Sequence, residues 1–303
     1  MAEITVSKLN KAIKNDPAGF IAAEDKKYRD FIEEIADRAT EGNKIRVILL
    51  AGPSGSGKTT SANLISAAIK ARGFESYVIS LDDFYRNQND PDYPRLESGE
   101  KDFESPAALN FPEIEDTLLR IADGKDFEIP RYDFKLGARS GKTKYKKITH
   151  GCIVIEGIHA LNPDICDSVP EDKCLKIFIS VSTNISDKGK RILSGRKLRF
   201  VRRMVRDSIH RGADAERTLE LWSNVLSGED KYLYPYRDNA DICFNTFHGY
   251  EPALMRSYAL KLISDDLAKN NSYAKTVRSA LLRAEPIEES LVSRDSLMRE
   301  FID

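Results

Sequence analysis

The chain has 303 residues, 41% of them apolar and 31% charged, a composition that can bury a full core and excludes wholesale disorder or a collagen-like or low-complexity chain. Lys plus Arg number 47 against 48 Asp plus Glu, a formal net charge of -1. So even a balance excludes a surface built throughout to hold a polyanion, and any phosphate chemistry must rest on local positive charge.

Residues 1–16 carry no apolar h-region, and no apolar run approaches the length of a membrane span, so a cytoplasmic protein without membrane contact is expected. Phe31, Ile32, Ile35 and Ala36 recur at helical spacing between charges, the pattern of an amphipathic helix. Residues 44–51 then form a short β-branched run, the mark of a buried strand, and a glycine-rich turn leads into a helix over 58–72. A second strand over 76–81 ends at Asp82 and Asp83, before a polar loop over 86–104 and a helix over 106–122. Residues 127–134 and 143–149 flank a Gly-containing turn and predict a β-hairpin. Further buried strands are expected over 152–156 and 175–181, a long basic helix over 189–210, a short strand over 241–245, and helices over 251–269. Strands alternating with helices indicate an α/β fold with a mainly parallel sheet. Cys152, Cys166, Cys174 and Cys243 form no C-x-x-C pair, which favours reduced core cysteines over a disulfide scaffold or zinc site.

Gly52, Pro53, Ser54, Gly55, Ser56, Gly57, Lys58 and Thr59 fit G-x-x-x-x-G-K-[ST] completely, with Thr60 following. Such a loop turns backbone N–H groups inward around phosphate oxygens, while the Lys reaches the β- and γ-phosphates and the hydroxyl binds Mg²⁺. The helix that follows adds its positive end. Nucleoside triphosphate binding is therefore expected. Magnesium needs a further carboxylate from a neighbouring strand end, and Asp82 and Glu156 both qualify, because parallel strands bring their C-terminal ends to one edge.

Residues 190–211 hold nine Lys or Arg and a single acid, Asp207. On a helix, Arg199, Arg203 and Arg206 share one stripe beside an apolar stripe of Leu198, Val201, Val205 and Ile209. A solvated charged face and nucleic-acid binding are the ordinary readings of such a run. Beside a phosphate loop, a third reading is that the arginines close over the triphosphate.

GPSGSGKTT (52–60), SLDDFYR (80–86), IPRYDF (129–134), CIVIEGIHAL (152–161) and RFVRRMVRDSIHRG (199–212) together resemble the uridine kinase and phosphoribulokinase family of P-loop kinases. YLYPYRDNADICFNT (232–246) and SRDSLMREFID (293–303) are similar to a bacterial nucleoside kinase branch of that family. The resemblance implies a P-loop NTPase-type three-layer sandwich with a hairpin over the acceptor pocket and a helical, Arg-bearing lid. It implies an N-terminal helical extension over 1–45, a kinase domain over 46–250, and a C-terminal helix and tail over 251–303 packing on it. The implied activity is ATP-dependent phosphorylation of a small acceptor, above all the 5′-hydroxyl of a nucleoside, with Mg²⁺ and no nucleic-acid partner. Assembly into a homo-oligomer stays open.

By the same resemblance, Asp82 matches the base that takes the acceptor proton, and Lys58 and Arg206 complete the catalytic set. Glu156 matches an acid that helps Thr59 and Asp82 hold the metal. Tyr85, Glu104, Tyr132 and Arg203 match acceptor-site positions, and Arg203 and Arg211 also match lid positions on the nucleotide. A solvated loop acid is the competing reading for Glu104, and a buried hairpin tyrosine for Tyr132. In eukaryotic-type members a His three residues after YDF reads the pyrimidine; Gly137 stands there in this chain, and Ala213 stands where a further arginine is expected. The pyrimidine-reading apparatus therefore does not carry over. A sugar phosphate or pantothenate is the alternative acceptor. A nucleotide-dependent switch or assembly factor is the alternative of another class, although SLDDFYR and IPRYDF are motifs a switch does not need.

Overall fold

The computed structural model of the chain describes residues 2–303. A short strand, β1 (Glu3–Thr5), precedes two helices. The Thr5 side chain caps α1 (Val6–Asn15), and Asp16 caps α2 (Pro17–Thr40), with Pro17 in its first turn. The chain then enters β2 (Val47–Ala51), crosses through α3 (Lys58–Ala71) and returns as β3 (Glu75–Ser80).

A helical turn over Pro106–Ala108 and a separate α4 (Phe111–Ala122) replace the single helix expected over 106–122. The extended Leu109 divides them, and Pro112 fits the first turn of the new helix. The hairpin is β4 (Phe127–Asp133) with β5 (Ala138–Tyr145), whose second strand starts earlier than expected. Next come β6 (Gly151–Glu156), the single turn α5 (Pro163–Cys166) and β7 (Cys174–Ser180).

The basic helix expected over 189–210 starts later. Residues 190–193 instead form a strand: β8 (Asn184–Asp187) and β9 (Lys190–Leu193) make an antiparallel hairpin through Lys188, whose φ is 48°. The Ser194 side chain then caps α6 (Gly195–Arg211), which ends at Gly212 in the left-handed conformation. Then follow α7 (Ala215–Tyr232), β10 (Ile242–Asn245), α8 (Glu251–Leu262), α9 (Asp265–Asn270), α10 (Ser272–Leu281) and α11 (Arg299–Ile302). Ile263 leaves the helical conformation and Ser264 caps α9, which splits the helical stretch expected over 251–269.

The central sheet has the order β10-β7-β2-β6-β3 and is parallel throughout. Strand β2, VILLA, is buried along its whole length, and each large side chain there contributes about 1.5–3 kcal/mol. Its residues alternate between two cores: Ile48 and Leu50 face α2, α3, α6 and the C-terminal helices, while Val47, Leu49 and Ala51 face α4 and the hairpin. This is a three-layer α/β sandwich.

The terminal regions fasten to the first of these cores. Phe31 stacks on Phe244 with ring centroids 3.7 Å apart, and the Tyr28 and Ser61 hydroxyls share a 2.8 Å hydrogen bond. Tyr250 donates to Asp25 at 2.6 Å, and Ser296 does so at 3.0 Å, tying α2 to the start of α8 and the C-terminal segment. Strand β1 adds in parallel to β8. Cys152, Cys166 and Cys174 are buried and free, whereas Cys243 is exposed on β10. Among the described residues, no helix is long and apolar enough to cross a membrane.

Candidate active site

The glycine-rich loop joins β2 to α3 at the C-terminal edge of the sheet. Gly55 and Gly57 take φ of 72° and 91°, open to glycine at little cost. A Cβ on Gly55 would lie 2.9 Å from the Arg199 carbonyl oxygen, and one on Gly57 would lie 2.5 Å from Leu297. The loop is thus pressed from behind by α6 and by the C-terminal segment. Lys58 folds back to donate to the Pro53 carbonyl at 3.3 Å. Thr59 donates to Glu156, the last residue of β6, at 3.3 Å.

A cleft of about 240 Å³ opens over this loop, lined by Ser54, Gly55, Gly57, Lys58 and Thr59 together with Asp82, Tyr85, Glu104, Glu156, Arg203, Arg206 and Arg211. Gly52, Pro53, Ser56 and Thr60 belong to the same loop and helix start but do not line the cleft. A second pocket of about 570 Å³ lies next to it, lined by Asp82, Tyr85, Gln88, Phe103, Tyr132, Phe134, Arg203 and Arg211. Four residues border both: Asp82, Tyr85, Arg203 and Arg211.

Asp82 sits in the turn Leu81–Phe84 after β3, its backbone N–H donating to Ser80 at 3.3 Å. Ser80 is in register with Glu156, so the two acids emerge side by side. Asp82 is open to the cleft but crowded by protein, and this desolvation holds its carboxyl above the ordinary range against the pull of Lys58. Burial raises Glu156 in the same way, opposed first by Lys58.

The hairpin supplies the far wall. Tyr132 and Phe134 pack edge to face at 5.0 Å, and Tyr85 lies 5.6 Å from Tyr132. Tyr132 is half-buried and faces the pocket, so the reading of it as a buried hairpin tyrosine gives way. Glu104 is no solvated loop acid either. It packs on Gly228, lines the cleft, and is pushed up to about 7 by burial, with Arg203 opposing the shift.

Helix α6 corrects the reading of the arginine stripe. Arg199 does not project with Arg203 and Arg206; it is 1% exposed and paired with Glu229 through bonds of 2.7 and 2.8 Å. Arg202 is likewise buried, paired with Glu251 through two 2.7 Å bonds, and donates to the Gly55 carbonyl at 3.3 Å. Ile209 is exposed, outside the apolar stripe assigned to it. Arg203, Arg206 and Arg211 do reach the cleft, and Asp207 pairs with all three at 3.3, 3.2 and 3.4 Å. Arg203 also donates to the Ser54 hydroxyl at 2.9 Å.

The geometry adds residues that the sequence reading did not single out: Gln88, Phe103 and Phe134 around the second pocket, Glu229 and Glu251 as buried counter-charges, and Glu300 in the cleft. Phe134 lay in plain view within IPRYDF. Glu300 lay within SRDSLMREFID, and the others carry no local signal. Gln88 stands opposite the departure at Gly137, its backbone N–H donating to the Gly137 carbonyl at 2.9 Å.

Residues 47–250 match the sequence model of the phosphoribulokinase / uridine kinase family. The chain belongs to this family. Among relatives in the family, a uridine kinase of Deinococcus deserti is 28% identical over 69% of this chain and 91% of its own length. A uridine kinase of Schizosaccharomyces pombe is 33% identical over 60% of this chain but only 36% of its own length. A solved structure described as a possible uridine kinase from Bacillus stearothermophilus superposes with a TM-score of 0.50 at 18% identity, covering 72% of this chain and 99% of the other, which supports the P-loop kinase fold. P-loop kinases of this family generally use ATP and Mg²⁺.

The residues at the cleft fit such a pair. Among the described residues, no three His, Cys, Asp or Glu side chains converge as a metal cage. A hydroxyl and a buried carboxylate, Thr59 and Glu156, meet at 3.3 Å instead. That sparse oxygen set suits Mg²⁺, which keeps several waters and takes its remaining ligands from phosphate.

Proposed function

We propose that this protein is an ATP-dependent nucleoside kinase that transfers the γ-phosphoryl group to the 5′-hydroxyl of a uridine- or cytidine-like nucleoside. The observation that carries this reading is the shared border: Asp82 belongs at once to the cleft over the phosphate loop and to the aromatic pocket beside it. In-line transfer to an alcohol needs a carboxylate at that junction.

In this reading Lys58 and the loop N–H groups hold the triphosphate. Thr59 and Glu156 would hold Mg²⁺, which supplies charge neutralisation on the phosphates. Asp82 accepts the hydroxyl proton as the acceptor oxygen forms its bond to phosphorus and the bond to the ADP oxygen breaks. Arg203, Arg206 and Arg211 offset charge on the transferring group. Tyr85, Tyr132 and Phe134 offer flat faces to a nucleobase, and Gln88 offers it one amide donor–acceptor pair. The curated uridine kinases among its relatives support the acceptor class.

The test is steady-state turnover with Mg²⁺-ATP against uridine, cytidine, adenosine, ribulose 5-phosphate and pantothenate. A pyrimidine nucleoside should give the highest kcat/KM, and Asp82→Asn should lose roughly a thousandfold in kcat while remaining folded. Near wild-type turnover in Asp82→Asn would remove the base assignment. Preference for a sugar phosphate or pantothenate would replace the nucleoside.

A further inference from the structure

Residues 296–303 lie beyond the family match, yet they reach the donor cleft from behind. Leu297, Met298 and Phe301 are fully buried. Leu297 fills the space against Gly57, and the Arg202 guanidinium lies 5.0 Å from the Phe301 ring while donating to the Gly55 carbonyl. The segment is therefore fastened to the phosphate loop at both of its left-handed glycines. Ser296 anchors its start, sharing hydrogen bonds with Asp25 and Tyr250.

This fastening brings one charge into the cleft. Glu300 lines it with Lys58, Thr59, Glu156 and the lid arginines. One Glu300 oxygen lies 3.8 Å from Nη1 of Arg206, and the other, Oε2, is buried without a hydrogen bond. The opposite edge of the same guanidinium donates to Asp207 through Nε and Nη2 at 3.3 and 3.2 Å. A planar fork hydrogen-bonded along one edge and drawn by a second carboxylate at the other is restrained about its long stem. Without Glu300, Arg206 would hang from Asp207 alone, and Asp207 also serves Arg203 and Arg211.

We infer that Glu300 is a positioning residue: the C-terminal segment completes the donor site by using Glu300 to set the Arg206 guanidinium for the terminal phosphate of the bound nucleotide. The inference rests on the reading of the cleft as a triphosphate site and adds to that site a residue outside the family-matched region. A carboxylate beside a phosphate cleft would otherwise only repel the ligand. Its pairing with an arginine gives it a use.

The experiment is calorimetric titration, with Mg²⁺ present, of the β,γ-imido analogue of ATP and separately of ADP. Four proteins are compared: wild type, Glu300→Gln, Arg206→Gln and the double variant, each checked by thermal melting. Glu300→Gln should weaken the triphosphate analogue about fivefold and leave ADP unchanged. Arg206→Gln should lose more, and Glu300→Gln should add nothing on top of it. Equal losses for both nucleotides would mean that the tail merely braces the loop, and would overturn the inference. An unchanged triphosphate-to-ADP ratio, or full additivity with Arg206→Gln, would overturn it too. A wild type that binds neither nucleotide would overturn it together with the donor-site reading. Uridine phosphorylation by the wild type is scored separately: its absence with triphosphate binding intact would remove the nucleoside and leave this inference standing.

Discussion

Glu229 closes a two-bonded, fully buried ion pair with Arg199 directly behind the phosphate loop, and its Oε1 also accepts the Ser54 backbone N–H at 2.9 Å. The same carboxylate thus balances a lid-helix charge and shapes the loop. Removing one partner of such a pair leaves an uncompensated buried charge. Glu229→Gln should therefore destabilise the fold by about 3–5 kcal/mol. Urea unfolding measures this, and a midpoint within error of wild type would refute it.

The lid arginines share one counter-charge. Asp207→Asn leaves Arg203, Arg206 and Arg211 facing one another across the cleft. The free protein should melt a few degrees lower, since roughly 2–4 °C accompanies each kcal/mol lost in a large domain. A bound triphosphate supplies negative charge at the same place. The upward shift in Tm on adding the imido analogue of ATP should therefore be larger in Asp207→Asn than in wild type.

Glu104 gives the free protein a pH dependence. Its carboxyl, ordinarily near 4.5, is pushed up to about 7 by burial. Between these values the folded state holds a proton that the unfolded chain has released, so this group's contribution to stability falls as pH rises and levels off above about 7. Glu104→Gln removes that loss. Melting curves should show the variant gaining stability over wild type at pH 8 and little or no gain at pH 4.5. An equal gain at both would show that burial of the charge is not the cause.

The Gln88 side chain packs against Gly137 and lines the aromatic pocket. In the proposed reading its amide pairs with a nucleobase edge, and losing such a contact costs binding of the acceptor rather than the chemical step. Gln88→Ala should raise KM for the nucleoside roughly tenfold with kcat nearly unchanged, a loss in the range of a single polar contact. A fall in kcat at constant KM would assign Gln88 a different part.

Much of this arrangement is legible in the amino-acid order because its determinants are local. The loop GPSGSGKT carries its own chemistry, and the run VILLA reads as a strand buried on both faces, which is how β2 lies. Asp82 and Glu156 could be paired in advance because parallel strands share an exit edge. What escaped depends on distant partners. Helical spacing put Arg199 in line with Arg203, but the acid that draws Arg199 inward lies 30 residues further on. Arg202 answers to Glu251, 49 residues away. Strands β1 and β9 are three and four residues long and owe their extension to pairing with β8 rather than to apolar pattern. Glu300 stands in SRDSLMREFID, a segment that resembles a nucleoside kinase branch but whose residues give no local hint of the cleft they enter.

The strand order also sets the order of assembly. Strand β2 lies between β6 and β7, so Val47 is in register with Ile153 on one side and Cys174 on the other. The strand that leads into the phosphate loop has no neighbours until more than a hundred further residues have followed it. Parallel pairing over such separations is slow, and the unpaired apolar strand is open to wrong partners in the meantime. The loop acquires its last wall only when Leu297 arrives at Gly57. The nucleotide site is therefore begun at Gly57 and finished only when Leu297 docks there, so nucleotide binding reads out folding of the whole stretch between them.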